Sequence, residues 1–359
     1  MINEVVDNSQ ISFQGDSYIH WINDLLQPKI YPKLPVVVDL FAGCGGLSLG
    51  FEAQGFATIG FENNTDAATT YSSNLQGECH CLNLTETTQL PSFKVLIGGP
   101  PCQPFSVGGK QKGLGDIRDG FPIFTKAVEF HQPDIFLIEN VRGLLYKSKP
   151  YLDEIVKRLQ SLNYLVEFKL LNAVNYGTPQ KRERVFIIGH RGKFSFPAQQ
   201  LKQITAGRAL GELAFSIPEN SKFLTPSMDK YIAKYEKASQ CIQPRDLHLD
   251  KPARTVTCRN LAGATGDMQR LKLPDGRRRR LTFREGARLQ SFPDWFTFTG
   301  NEQSIFNQIG NAVPPMLAYF LAQSCREYLE DDFRYSVEEI KSKNRIMNQG
   351  NEYQQLSLF

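Results

Sequence analysis

The chain has 359 residues, 41% of them hydrophobic, with a formal net charge of +4. It is long enough for one large domain or two ordinary ones around a real core. No run of about eighteen apolar residues occurs, and residues 1–14 carry neither a basic nor an apolar leader segment, so neither a membrane span nor a secretory signal is expected and the protein should stay in the cytoplasm. Seven cysteines, at 44, 79, 81, 102, 241, 258 and 325, follow no disulfide framework, as suits thiols kept reduced in a cell. Cys79-His80-Cys81 has no second CxxC or HxxxH pair to complete a tetrahedral site, so no metal is expected.

Residues 1–34 are uninformative. From Val36 to His190 the apolar runs "VVVDLF", "TIGFEN", "VLIGGP", "IFLIEN" and "VFIIGH" alternate with "GLSLGFEAQG", "TDAATTYSSNL", "GFPIFTKAVEF" and "YLDEIVKRLQSL", whose apolar positions recur three or four apart. Continuous apolar strands separated by amphipathic helices predict a doubly wound α/β domain with a mostly parallel sheet. Ligands of such sheets sit beyond the carboxyl ends of the strands, where Asp39, Glu62, Pro100 and Glu139 all fall. After about Pro197 short pieces are broken by glycine, proline and arginine, as in "KPARTVTCRNLAGATGDMQRLKLPDGRRRRLTF", which predicts a smaller β-rich domain with a tight turn at "PDG". The expected division is 1–192 plus 305–359 for the first domain and 193–304 for the second. Beyond Pro315 a helix with an apolar face should pack on the first domain, and from Asp331 a surface helix and a tail follow.

"DLFAGCGGLSLGF" follows the first strand. Its glycines Gly43, Gly45 and Gly46 allow a tight turn and close approach to a ligand, and Glu62 is placed for ribose hydroxyls. Ser48 stands where a dinucleotide GxGxxG would have its third glycine, which favours a nucleoside without pyrophosphate, such as S-adenosylmethionine, over a nicotinamide. "VLIGGPPCQPFS" holds the thiol of Cys102 at a strand end; Glu139 ends the strand of "IENVRG"; and "PQKRERVFIIG" puts Arg182 and Arg184 on one face by alternation. This set fits one reaction. A thiolate adding to carbon 6 of cytosine makes carbon 5 nucleophilic toward an electrophilic methyl, while Glu139 in a closed apolar site handles a proton at nitrogen 3 and an arginine binds oxygen 2. Loss of the carbon 5 proton then expels the thiolate. A stacked base cannot present both faces, so the cytosine must be flipped out.

With "GGPPCQPFS", "IENVRGL", "YGTPQKRERVFIIG", "RLTFREGARLQSFPDWF" and "QIGNAVPP" following in order, the chain closely resembles the cytosine-5 DNA methyltransferases from about Val36 to Leu321. The resemblance implies Cys102 as nucleophile, Glu139 and Asn140 as the block whose acid contacts the flipped base, and Arg184, with Arg182 behind it, as the arginines of the QxRxR block. It implies S-adenosylmethionine as cofactor, held by Phe41, Ala42, Gly43, Gly45, Glu62, Pro100 and Asn311. Asn83 in "CLNL" stands where the family usually has an aspartate that accepts from the adenine amino group; its carbonyl can still accept. The loop after Cys102, with Gln103 and Ser106, resembles the segment that closes over DNA. The stretch from Arg191 to Lys251 lacks motifs, as the family's target-recognition region does, and its shortness implies one DNA target. Arg277, Arg278 and Arg279 are candidates for DNA phosphate, weighed evenly against an exposed hairpin edge guarded by charge.

The resemblance implies a bacterial or phage modification enzyme that is monomeric, nucleoid-associated, active on double-stranded DNA and paired with a restriction endonuclease. The alternatives are a tRNA cytosine-5 methyltransferase, whose usual "CFT" tripeptide this chain lacks, and a non-catalytic DNA-binding protein, against which the trio Cys102, Glu139 and Arg184 argues. A nicotinamide oxidoreductase stands last.

Overall fold

Apolar runs too short for buried helices become the strands of the central sheet. A computed structural model describes residues 17–101, 119–146, 148–199, 202–219, 221–238, 245–263 and 267–356. After α1 (Ser17–Leu25) come β1 (Val37–Leu40), α2 (Gly46–Ala53), β2 (Thr58–Glu62), α3 (Thr65–Asn74), β3 (Glu78–Cys81), β4 (Val95–Gly98), α4 (Phe121–His131), β5 (Ile135–Val141), α5 (Lys149–Ser161), β6 (Leu165–Asn172) and β7 (Glu183–His190). Among the described residues these strands form a seven-stranded sheet in the order β3-β2-β1-β4-β5-β7-β6. β1 to β5 are parallel, whereas β7 runs antiparallel to both β5 and β6.

Two strands lacked the apolar run that marks the others. β3 is "ECHC", a half-exposed edge, and β6 is "LVEFKLLN", which alternates polar with apolar residues. The reversal of β7 follows from chain length: the connection spans residues 173–182, too short for the crossover of a dozen or more residues that a parallel partner needs.

The second region departs from expectation. It holds α6 (Ala206–Leu210), α7 (Pro226–Ala238), α8 (Cys258–Ala262), β8 (Arg270–Lys272), β9 (Arg278–Arg280) and α9 (Phe283–Leu289). Among the described residues it is therefore not β-rich: β8 and β9 make one two-stranded ribbon, turning at Gly276 with φ +88°. The extended "KPARTV" finds its partners on the first region instead, with Lys181 N donating to Ala253 O, Ala253 N to Pro179 O and Val256 N to Gln180 Oε1. An extended segment whose backbone is satisfied singly in this way has no need of a ladder.

The chain then returns through α10 (Glu302–Asn311), α11 (Pro315–Glu330) and α12 (Val337–Leu356). α11 lies against α2 so closely that a Cβ on Gly50 would stand 2.4 Å from the Ala318 carbonyl carbon. One apolar cluster runs from Val37 and Leu171 through Leu317 to Leu210, Leu261 and Leu281, so the second region packs on the first through a shared core.

Candidate functional site at the carboxyl ends of the strands

The ends of β1, β2, β4 and β5 open into a cavity of about 920 Å³, within the size range of small-molecule sites. Asp39, Glu62, Pro100 and Glu139, from those separate strand ends, all border it, as the strand pattern predicts. So do Phe41, Ala42, Gly43, Asn83, Asn140 and Asn311.

The glycine loop owes its shape to left-handed backbone. Phe41, Gly43 and Gly45 have φ of 62°, 56° and 88°, and only glycine takes such values without strain. A Cβ built on Gly43 would meet nothing within 4 Å, so that glycine faces open space, and its amide donates to Glu62 Oε2 at 2.9 Å. Glu62 Oε1 accepts from the amides of Asn63 and Asn64. The carboxylate is thereby fixed at the end of β2 with lone pairs left for hydroxyls, and Phe61, Leu82 and Leu84 add apolar wall. A nucleoside with a charged tail fits these groups. Gly45 does not border the cavity; it precedes α2, and a Cβ there would lie 2.8 Å from the Tyr71 ring.

At the far rim stands Glu139, which pairs with Arg184, Nε to Oε1, at 2.9 Å. In the antiparallel register Glu139 stands opposite Phe186 and Arg184 opposite Val141, so the two are diagonal neighbours on one face. The expected apolar enclosure of Glu139 is thus replaced by a guanidinium. Burial pushes the Arg184 group below the usual arginine range, with Glu139 acting against that shift. Asn140 Nδ2 donates to Pro100 O at 3.0 Å, tying β5 to the strand end that leads toward Cys102. Gly120 N donates to Pro101 O. Cys102, Gln103 and Ser106 lie outside the described residues.

Three arginines do not go where the sequence pattern put them. Arg182 precedes β7 and turns away from the cavity; it is buried, donating from Nη1 to Val256 O and from Nη2 to Gly310 O, so it fastens the first region to the second. Arg279 is buried completely in a two-pronged pair with Glu285, at 2.6 and 2.9 Å, and also donates to the carbonyls of Leu213 and Ser216. Arg278 is held by Asp246 and Asp229. As phosphate contacts Arg279 is therefore excluded and Arg278 is already neutralised; Arg277 remains exposed, over the Phe223 ring and beside Asp275. The residues missed by the sequence reading are Gln180 and Gln290, whose side chains bond each other and carbonyls of α9 and α10 across the seam. Both lie in quoted blocks, Gln180 as the first residue of QxRxR, but nothing in either block shows that the two side chains meet.

A model of the C-5 cytosine-specific DNA methylases matches residues 36–327. The Type II methyltransferase M.AplI of Arthrospira platensis is 59% identical over 299 residues, 82% of this chain and 87% of that protein. M.NgoFVII of Neisseria gonorrhoeae is 31% identical over 339 residues, 83% of this chain and 88% of its own length. The Entamoeba histolytica methyltransferase EhMeth shares the fold with TM-score 0.65 at 18% identity, over 85% of this chain and 100% of that one. The chain belongs to the C-5 cytosine-specific DNA methylase family, and its methyl donor is S-adenosylmethionine.

Proposed function

We propose that this enzyme methylates carbon 5 of a flipped cytosine within one short DNA sequence, acting as the modification partner of a restriction endonuclease. The observation that carries the chemistry is Glu139 at the cavity rim, paired with Arg184 and beside the Pro100–Pro101 strand end that leads into Cys102. The Cys102 thiolate adds to carbon 6. Glu139 shares a proton with nitrogen 3, and Arg184, oriented by Glu139, donates to oxygen 2. Asn140 positions the nucleophile's strand through Pro100. Phe41, Ala42, Gly43, Glu62, Asn83 and Asn311 hold the cofactor, which supplies an electrophilic methyl; Gly45 serves the same loop by its backbone. Excluding water from this crevice is what keeps the activated base for methyl transfer.

Residues 193–304 are the target-recognition part, with Arg277 as a phosphate contact, and the protein acts as a monomer. The Type II names of the relatives support the restriction partner. No helix among the described residues is long and apolar enough to cross a membrane. The test is bisulfite sequencing of DNA from cells expressing the protein or Cys102→Ser. Protected cytosines in one shared short sequence, seen only with the unaltered chain, are expected. Protection by the variant would overturn the nucleophile, and unprotected DNA with both would send the search to the tRNA pool.

A further inference from the structure

Five buried side chains form a continuous line beneath the cofactor cavity. Ser48 Oγ lies 2.7 Å from Asp39 Oδ2 and 3.1 Å from Tyr71 Oη; Thr58 Oγ1 lies 2.7 Å from Tyr71 Oη and 2.7 Å from Glu52 Oε1. All five residues are buried, and Asp39 borders the cavity.

Each oxygen–oxygen contact needs one hydrogen between its atoms. Ser48, Tyr71 and Thr58 bring three hydroxyl hydrogens to four contacts, so a carboxyl must bring the fourth. Glu52 is the poorer candidate, because its Oε2 already accepts from Gln76 N and its Oε1 from Gly77 N, both at 2.8 Å, and such bonds favour the carboxylate. With the hydrogen on Asp39 every contact is satisfied in one direction: Asp39 donates to Ser48, Ser48 to Tyr71, Tyr71 to Thr58 and Thr58 to Glu52.

We propose that Asp39 is a neutral carboxylic acid in the free enzyme, kept so by its burial and supplying the hydrogen that the hydroxyl line lacks, and that S-adenosylmethionine, whose sulfonium and ammonium are cationic, binds with release of that proton to solvent. The inference rests on the cavity being the cofactor site. Once the proton leaves, the Ser48 hydroxyl turns to donate to Asp39, and the 3.1 Å Ser48–Tyr71 contact is left without a hydrogen and loosens. Ser48 and Tyr71 are positioning residues here.

The surroundings agree. The titratable groups facing Asp39 among the described residues are Glu62 from β2, Tyr71 from α3 and Cys79 from β3, with Cys44 of the glycine loop on the same cavity. None is a cation. Burial, with Glu62 adding to it, pushes the Asp39 carboxyl up to about 7, against the Ser48 bond. An acid raised in the free protein and lowered in the complex gives up its proton on binding, so cofactor affinity falls as the pH drops below about 7.

Calorimetry of S-adenosylmethionine binding in two buffers of different ionisation enthalpy reads the proton directly. Release of about half a proton is expected at pH 7, rising toward one about a unit below and falling to none well above, with affinity changing by up to about tenfold per pH unit below pH 7. In the free enzyme, infrared spectroscopy should show the carbonyl stretch of a buried neutral acid that vanishes in Asp39→Asn. That variant keeps the line intact, since the amide donates to Ser48, and should fold at least as stably as the unaltered chain at pH 8 while losing the pH dependence of binding. Tyr71→Phe leaves two contacts and two hydroxyls, so it should move proton release to lower pH. Binding without proton release at any pH near 7, no neutral-acid band in the free enzyme, or an unshifted window in Tyr71→Phe would each overturn the proposal. Absence of cofactor binding would instead overturn the assignment of the cavity, and the infrared band would still decide the state of Asp39.

Discussion

Arg184 at the start of β7 and Arg279 in β9 are each paired with a glutamate, and their surroundings differ in one respect. Glu139, the partner of Arg184, borders a cavity, and 12–15% of each side chain in that pair is still exposed. Arg279 and Glu285 are sealed, at 0% and 1%, with the guanidinium shared among a carboxylate and three carbonyls. A pair whose acid opens on a cavity can act on a substrate; one sealed inside the protein can only hold the fold. Arg270 of β8 behaves like Arg279, pairing with Glu236 and Asp246 while fully buried.

The largest separation between the two pairs should come from Glu139→Gln. It removes the proposed proton partner and should lower kcat by about 10²–10⁴-fold with little change in thermal unfolding. Equal kcat in the variant would place Glu139 with the structural pairs. Arg279→Ala should do the reverse, because it strands the Glu285 carboxylate in the interior: a stability loss of about 3–5 kcal/mol by denaturant titration is expected. Unfolding at the unaltered midpoint would show that the ribbon tolerates an unpaired carboxylate. The smallest effect belongs to Arg277→Ala, where stability should stay within about 0.5 kcal/mol while the salt dependence of DNA binding falls by about one charge. An unchanged salt slope would leave the ribbon with no DNA contact at all.

The same contrast explains what was readable. Six short blocks in order marked the family, and the apolar runs placed Asp39, Glu62, Pro100 and Glu139 at one crevice because parallel strands all end on the same side. β3 and β6 escaped notice because an edge strand with one wet face carries no apolar run. "GRRRRL" resembled a phosphate patch because its acidic partners, Asp229, Asp246 and Glu285, are dispersed in sequence and meet it only through the fold.

The sequence by itself determined the strand–helix alternation, the tight glycine turn after β1 and the family, all of which depend on local pattern and residue chemistry. Only the tertiary structure decided the reversal of β7, the diversion of Arg182 into the seam and the hydroxyl line from Asp39 to Glu52. Those depend on which distant atoms come within hydrogen-bond reach, and spacing along a chain does not encode that distance.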